Sequence, residues 1–352
     1  MAGGLERIAK LLSENFIKKG DEVTYCYLGQ IAGSLSYFHR CVLEFFLKLE
    51  RNHRIPLKKS IFNIRIFFNL CWNLEKFDII HINGDNGSLA SNIKRYNTIM
   101  TWHGITQISW SKLHPRIKFL SWLHPSAFFE LNASINSPSV TIVNSSLFDF
   151  VSRASKREDI TLINNGIDIE TFKPNQIIFD ASKINSTVLR LRCLWVATSD
   201  SKRKGLKIAK DAVKSIDSVE LFIVGADGID SNNVHYLGKV SEEQLLLNYQ
   251  HSDVFLFPSS SEGQSIALLE AIACGCIPII FRQIAISGMV DGINCLLCDT
   301  PLDFEFKLKY LIENPELVVN QLKKNARALS LNYSLENMFA SYQDIFSKIM
   351  LP

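Results

Sequence analysis

The chain has 352 residues, 47% of them hydrophobic and 21% charged, with a formal net charge of only +3. That balance excludes a disordered or fibrous chain, and the length suits two domains of about 170 residues with a core each. No run of 18 or more apolar residues is present and no charged-then-apolar leader opens the sequence, so a cytoplasmic protein without a membrane-spanning helix is expected.

Apolar residues at Leu5, Ile8, Leu11, Leu12 and Phe16, closed by Gly20, predict a helix over 3–19, and Asp21–Leu28 reads as a strand. Residues 34–76 read as Phe-rich helices with basic clusters at Arg51–Arg54 and Lys58-Lys59. Over 34–120 there are 13 basic against 5 acidic residues. Such a surface suits an anionic membrane or a lipid-pyrophosphate acceptor, and no binding motif accompanies it that would point to nucleic acid. Phe77–Ile82 and Asn97–Trp102 are short and apolar, as buried parallel strands are. His103-Gly104 follows the second at its C-terminal end, where α/β sheets place ligands. Residues 111–131 read either as an interfacial helix or as a core helix broken at Pro115 and Pro125. Ser139–Val143, a helix from Ser145 and Ile160–Ile163 follow.

A strand over Val188–Ala197 opens the second half. Lys204-Gly205 then begins an amphipathic helix, with four basic residues between Lys202 and Lys207. Cations at a helix start oppose its dipole unless an anion sits there. Strands at Val219–Gly225, Val234–Leu237 and Val254–Phe257 come next, with a helix Ser241–Gln250 carrying the capping box Ser241-x-x-Gln244. Helices over about 301–330 and 334–350 end the chain. Of eight cysteines, Cys274-x-Cys276 and Cys295-x-x-Cys298 have spacings open to metal. They lie in apolar helix-end and strand runs, however, and read as reduced structural thiols.

The most informative stretch is Phe257–Ile280: strand end, polar turn over Pro258–Gln264, helix from Ser265, Gly275 and a second strand. From Gly263 to Phe281 the one charged residue is Glu270, on a helix apolar on every side. A lone buried carboxylate costs several kcal/mol, so Glu270 is expected to face a polar ligand. Glu262 stands eight residues earlier, in the turn. The two acids bracket a helix N-terminus whose N–H groups favour an anion. Hydroxyls on carboxylates beside phosphate on a helix end describe a sugar nucleotide.

Glu262-Gly263, then Glu270, Ala271, Ala273, Gly275 and Pro278, resembles the E-x7-E signature of retaining glycosyltransferase family 4, which has the GT-B fold. Asn164–Phe172 resembles that family's boundary motif between its halves, and Lys204-Gly205 its K-G element. The run Val219–Gly225 resembles its hydrophobic run ending in Gly, and Gly288–Asn294 its D-G-x-N-G element. The resemblance implies two doubly wound Rossmann-like α/β domains facing a cleft. These are an acceptor domain over 1–168, a linker over 169–187, a donor domain over 188–332, and a last helix over 333–352 crossing back. It implies transfer of a hexosyl unit from a nucleoside diphosphate sugar to a glycan or lipid-linked acceptor, in surface polysaccharide synthesis, without metal or other cofactor. Lys204, Arg203 and the N–H groups of Gly263, Gln264, Ser265 and Ile266 would hold the diphosphate. Glu262 would support the reacting sugar, Glu270 the ribose diol, and His103 the sugar. Gly4 and Gly225 complete the implied site.

Two departures stand against the family pattern. No strand precedes the Gly3-Gly4 loop, so either the sequence starts late or the first sheet lacks a central strand, and Thr198 replaces the usual Arg. They suggest an alternative, a degenerate GT-B protein that binds a sugar nucleotide without turnover.

Overall fold

The computed structural model describes residues 4–23, 77–84, 88–94, 96–104, 125–175, 191–197, 202–315 and 321–350, with Asn63 and Phe67. The expected helices over 34–76, most of the strand over 21–28, most of the linker and Thr198 lie outside them. The chain divides into two compact units, Leu5–Asn164 with Phe339–Pro352, and Met1–Gly4 with Asn165–Met338.

The N-terminal unit is built on four parallel strands lying in chain order: β1 (Ile79–Asn83), β2 (Asn97–Trp102), β3 (Ser139–Ile142) and β4 (Ile160–Leu162). Among the described residues no strand precedes β1, and Asp21–Val23 lie outside any strand. The first helix, α1 (Gly4–Lys18), buries Ile8, Leu12 and Phe16, the one-face spacing of an amphipathic helix. Gly20 closes it at φ +97°. Helices α2 (Pro125–Asn136) and α3 (Phe148–Ser155) complete this unit's described helices before the boundary.

The C-terminal unit holds six parallel strands: β5 (Leu191–Val196), β6 (Val219–Val224), β7 (Val234–Gly238), β8 (Val254–Phe257), β9 (Ile277–Phe281) and β10 (Leu296–Cys298). Their order across the sheet is β10-β9-β8-β5-β6-β7. The chain thus starts at β5, winds outward through β6 and β7, then returns to β8 and winds the other way. Strands β5, β8 and β9 are buried almost throughout, which is why they read as unbroken apolar runs.

Five helices flank this sheet or follow it: α4 (Leu206–Val213), α5 (Glu242–Gln250), α6 (Ile266–Ala273), α7 (Asp303–Glu313) and α8 (Lys323–Ser330). The capping box of α5 forms as its sequence predicts, Ser241 and Gln244 each bonding the other's backbone. Over the span expected to be helical, 301–330, the described residues form α7, which ends at Glu313 just before Asn314-Pro315, and α8. The final helix α9 (Leu335–Met350) leaves the C-terminal unit after Met338 and continues in the N-terminal one. There Phe346 packs against Phe16 with ring centroids 5.0 Å apart, and Tyr342 is fully buried. Among the described residues no helix is long and apolar enough to cross a membrane, and Cys193, Cys274, Cys276, Cys295 and Cys298 are buried free thiols.

Candidate active site

In a doubly wound sheet the ligand crevice opens at the carboxyl ends of the two strands where winding reverses. Here those strands are β5 and β8, paired through Cys193 and Leu194 with Val254 and Phe255. The segments leaving them carry the residues singled out by charge: Lys202–Lys204 form a short 3-10 turn after β5, and Pro258–Ser265 form the loop between β8 and α6.

The two segments close on each other. Lys204 Nζ donates to Glu262 Oε1 at 2.8 Å, Arg203 Nη1 to the same oxygen at 2.7 Å, and Ser259 Oγ at 2.6 Å. Arg203 Nη1 also bonds Ser261 O at 2.6 Å, and Ser260 N donates to Arg203 O at 2.9 Å. Trp195 Nε1, from β5, donates to Lys204 O at 3.2 Å and pins the turn from below. Among the described residues Glu262 Oε2 accepts no hydrogen bond. The carboxylate is therefore saturated on one oxygen and open on the other, with its side chain only 13% exposed. Two cations against one carboxylate leave a local charge excess of about one positive unit, which an incoming anion would neutralise.

Gly205 makes this approach possible. It has φ +70°, and a Cβ there would fall 2.1 Å from Pro258 O. Only a residue with no side chain lets the turn carrying Lys204 lie backbone against the loop carrying Glu262.

The other expected residues fall in several places. Ser265 is the N-cap of α6 and Ile266 its first residue, so their N–H groups lie at the helix start beside Glu262. Gln264 is buried and bonds Asn165 instead of turning to the crevice. Gly225 ends β6, next to β5, with φ +88° and its N–H donating to Gly238 O. Glu270 is 2% exposed. Its carboxylate lies beside the buried hydroxyl of Tyr249 on α5, whose pKa is raised well above the usual phenol value, first by burial and then by that carboxylate. Glu270 thus has Tyr249 as a protein neighbour. Gly4 opens α1. Ser259 and Gly205, absent from the expected set, belong to the cluster.

In the N-terminal unit His103 follows β2, and its Nε2 bonds Asn83 Oδ1, at the end of β1, at 3.0 Å. Since that amide oxygen only accepts, Nε2 carries the proton. Burial, then neighbouring His81, pushes the His103 pKa down to about 3, so the ring is neutral at physiological pH.

Two parallel α/β units of this kind, the second with its ligand crevice at the switch point, define the architecture of a GT-B glycosyltransferase. The chain is one: its residues 2–171 match the family model "Glycosyltransferase Family 4" and residues 190–314 match "Glycosyl transferases group 1". Alpha-monoglucosyldiacylglycerol synthase of Acholeplasma laidlawii is 25% identical over 305 residues, 77% of this chain and 75% of that protein. The N,N'-diacetylbacillosaminyl-diphospho-undecaprenol alpha-1,3-N-acetylgalactosaminyltransferase of Campylobacter jejuni is 34% identical over 127 residues, 35% of this chain and 32% of that one. Among solved structures, Anabaena HepE in complex with UDP and glucose superposes with a TM-score of 0.65 at 15% identity, over 98% of this chain and 96% of that one.

Proposed function

We propose that the chain is a retaining hexosyltransferase that moves a sugar from a nucleoside diphosphate donor to a lipid-linked or glycan acceptor. The observation that carries this reading is the convergence of Lys204, Arg203 and Ser259 on one oxygen of Glu262, at the switch point of the C-terminal sheet. A diphosphate entering at the start of α6 would take over the two cations and the first-turn N–H groups. As the bond from the anomeric carbon to the diphosphate oxygen breaks, those groups meet the charge that develops on the leaving phosphate. The open oxygen of Glu262 supports the positive character that develops on the sugar. The acceptor hydroxyl attacks from the face the phosphate leaves, and its proton passes to the departing phosphate oxygen. This reading uses no metal. Glu270 takes the ribose diol, and His103, neutral and held by Asn83, takes a sugar hydroxyl. Gly225 and Gly4 line the donor and acceptor ends.

The relatives named above include a glycolipid synthase and a transferase acting on a diphospho-undecaprenol sugar. They support an acceptor carried on lipid and hence work at the inner face of the cell membrane. To test the chemistry, Glu262→Gln is expected to lose transfer by ~10²–10³ while its nucleotide affinity changes little, and Lys204→Ala to weaken both binding and turnover. Turnover unchanged in Glu262→Gln removes the assignment.

A further inference from the structure

Gln264 stands two residues after Glu262 and directly before the N-cap of α6, yet its side chain is committed elsewhere. Its Oε1 accepts from the backbone N–H of Asn165, and Asn165 Nδ2 donates to Gln264 O at 3.1 Å. Both residues are buried. Asn165 is where the chain enters the C-terminal unit, and Met338 is where it leaves it.

These two crossing segments are themselves zipped together. Ile167 N donates to Tyr333 O at 2.8 Å and Leu335 N to Ile167 O at 3.0 Å, a parallel bridge between Ile167 and Ser334. Gly166 N–H points at Met338 Sδ at 3.1 Å. A Cβ on Gly166 would fall 2.8 Å from Leu335 Cα and 2.9 Å from Ser334 O, so the two backbones touch with no room for a side chain. One glutamine therefore joins the loop that carries Glu262 to both places where the chain passes between its units.

We propose that Gln264 is a positioning residue, a latch that makes the donor loop and the paired crossing segments respond as one, so that a nucleoside diphosphate on the loop tightens the crossings. The proposal rests on the donor-site reading above. Coupling of this kind is reciprocal: whatever stabilises the paired crossings also raises affinity at the loop. The latch needs an acceptor oxygen on the side chain at position 264, and that side chain makes no polar contact to the ligand.

The test is amide hydrogen exchange on the whole chain, with and without saturating UDP, GDP or ADP, in wild type, Gln264→Leu and Gln264→Glu. In wild type the best of the three nucleotides is expected to slow exchange at 202–206 and 262–267. It should also slow exchange by about 5-fold or more at 163–168 and 333–338, the scale of one net hydrogen bond. Gln264→Leu should keep the first response and lose the second, with kcat falling about 10-fold and the nucleotide Kd within about 3-fold. Gln264→Glu, which keeps the acceptor, should restore the second response. Protection at the loop without protection at the crossings in wild type overturns the latch. So does coupling that survives in Gln264→Leu. If no nucleotide protects the loop in any variant, the donor-site reading itself fails and takes the latch with it.

Discussion

Gly205 shows how much one residue decides. Its backbone is left-handed, and the carbonyl of Pro258 occupies the space a side chain would need. Gly205→Ala must pay for both, about 1–2 kcal/mol for the conformation and about 1–3 for the overlap. The expected result is a loss of roughly 2–4 kcal/mol in urea unfolding, together with weaker nucleotide binding, because Lys204 is carried by the same turn. Stability and binding both at wild-type level would show that the turn does not hold Lys204 in place. The sequence makes Lys204 and Glu262 legible for a local reason: cations at a helix start and an acid in a turn are out of place without a ligand. It conceals what depends on distance along the chain. Ser259 is an ordinary turn serine until Lys204 and Glu262 meet. Tyr249, which stands beside Glu270, is indistinguishable in sequence from any core aromatic. Gln264 and Asn165 are 99 residues apart, and no pattern of charge or period links them.

At the scale of elements, parallel strands give their same-face residues a register, and in the N-terminal sheet that register stacks polar groups. Thr101 on β2 and Thr141 on β3 are register partners, and His81 on β1, two residues before Thr101's own partner Asn83, reaches across to them: His81 Nε2 to Thr101 Oγ1 at 2.7 Å, and Thr101 Oγ1 to Thr141 Oγ1 at 2.6 Å. Tyr342 from α9 closes it, its hydroxyl 3.2 Å from Thr101 Oγ1 and its ring 4.8 Å from the imidazole. Asn83 and His103 repeat the same diagonal pairing one step nearer the carboxyl edge. The apolar runs of these strands make their span legible in the sequence and leave the polar face hidden, because it forms only when the strands pair. Burial lowers the His81 pKa from 6.5 to about 4, and His103 falls further, to about 3. Between pH 6.5 and those values the unfolded chain binds protons that the folded chain refuses, so stability falls as pH drops through this window and levels off below the folded pKa. Near pH 5 each histidine should cost about 2 kcal/mol relative to neutral pH. Urea midpoints measured from pH 7 downward should fall accordingly, and His81→Gln should flatten the slope by about half. An identical slope in that variant would show that His81 does not enter the folded state neutral.

At the scale of the whole molecule the charge is divided along the chain. Residues 1–165 carry 20 Lys/Arg against 13 Asp/Glu, and the remainder 18 against 22. The near-neutral total therefore hides a basic half and an acidic half, and the excess concentrates over 34–120 among Phe and Trp residues. A basic, aromatic half suits an extended anionic surface, where each Lys or Arg near the headgroups contributes about 1 kcal/mol and salt screens the attraction within about 10 Å at 0.1 M. If the acceptor is presented on a membrane, the intact chain should co-sediment with vesicles containing roughly a third anionic lipid and not with purely zwitterionic ones, and should be released by about 0.5 M salt. Reversing the charges of Arg51, Arg54, Lys58 and Lys59 to Glu should abolish sedimentation while leaving nucleotide binding intact, since those residues lie in the N-terminal unit and Lys204 and Glu262 in the other. Equal sedimentation with both vesicle types would mean that apolar contacts, not the basic surplus, bring the protein to lipid. No sedimentation with either would move the acceptor into solution and leave the charge division without a role in catalysis.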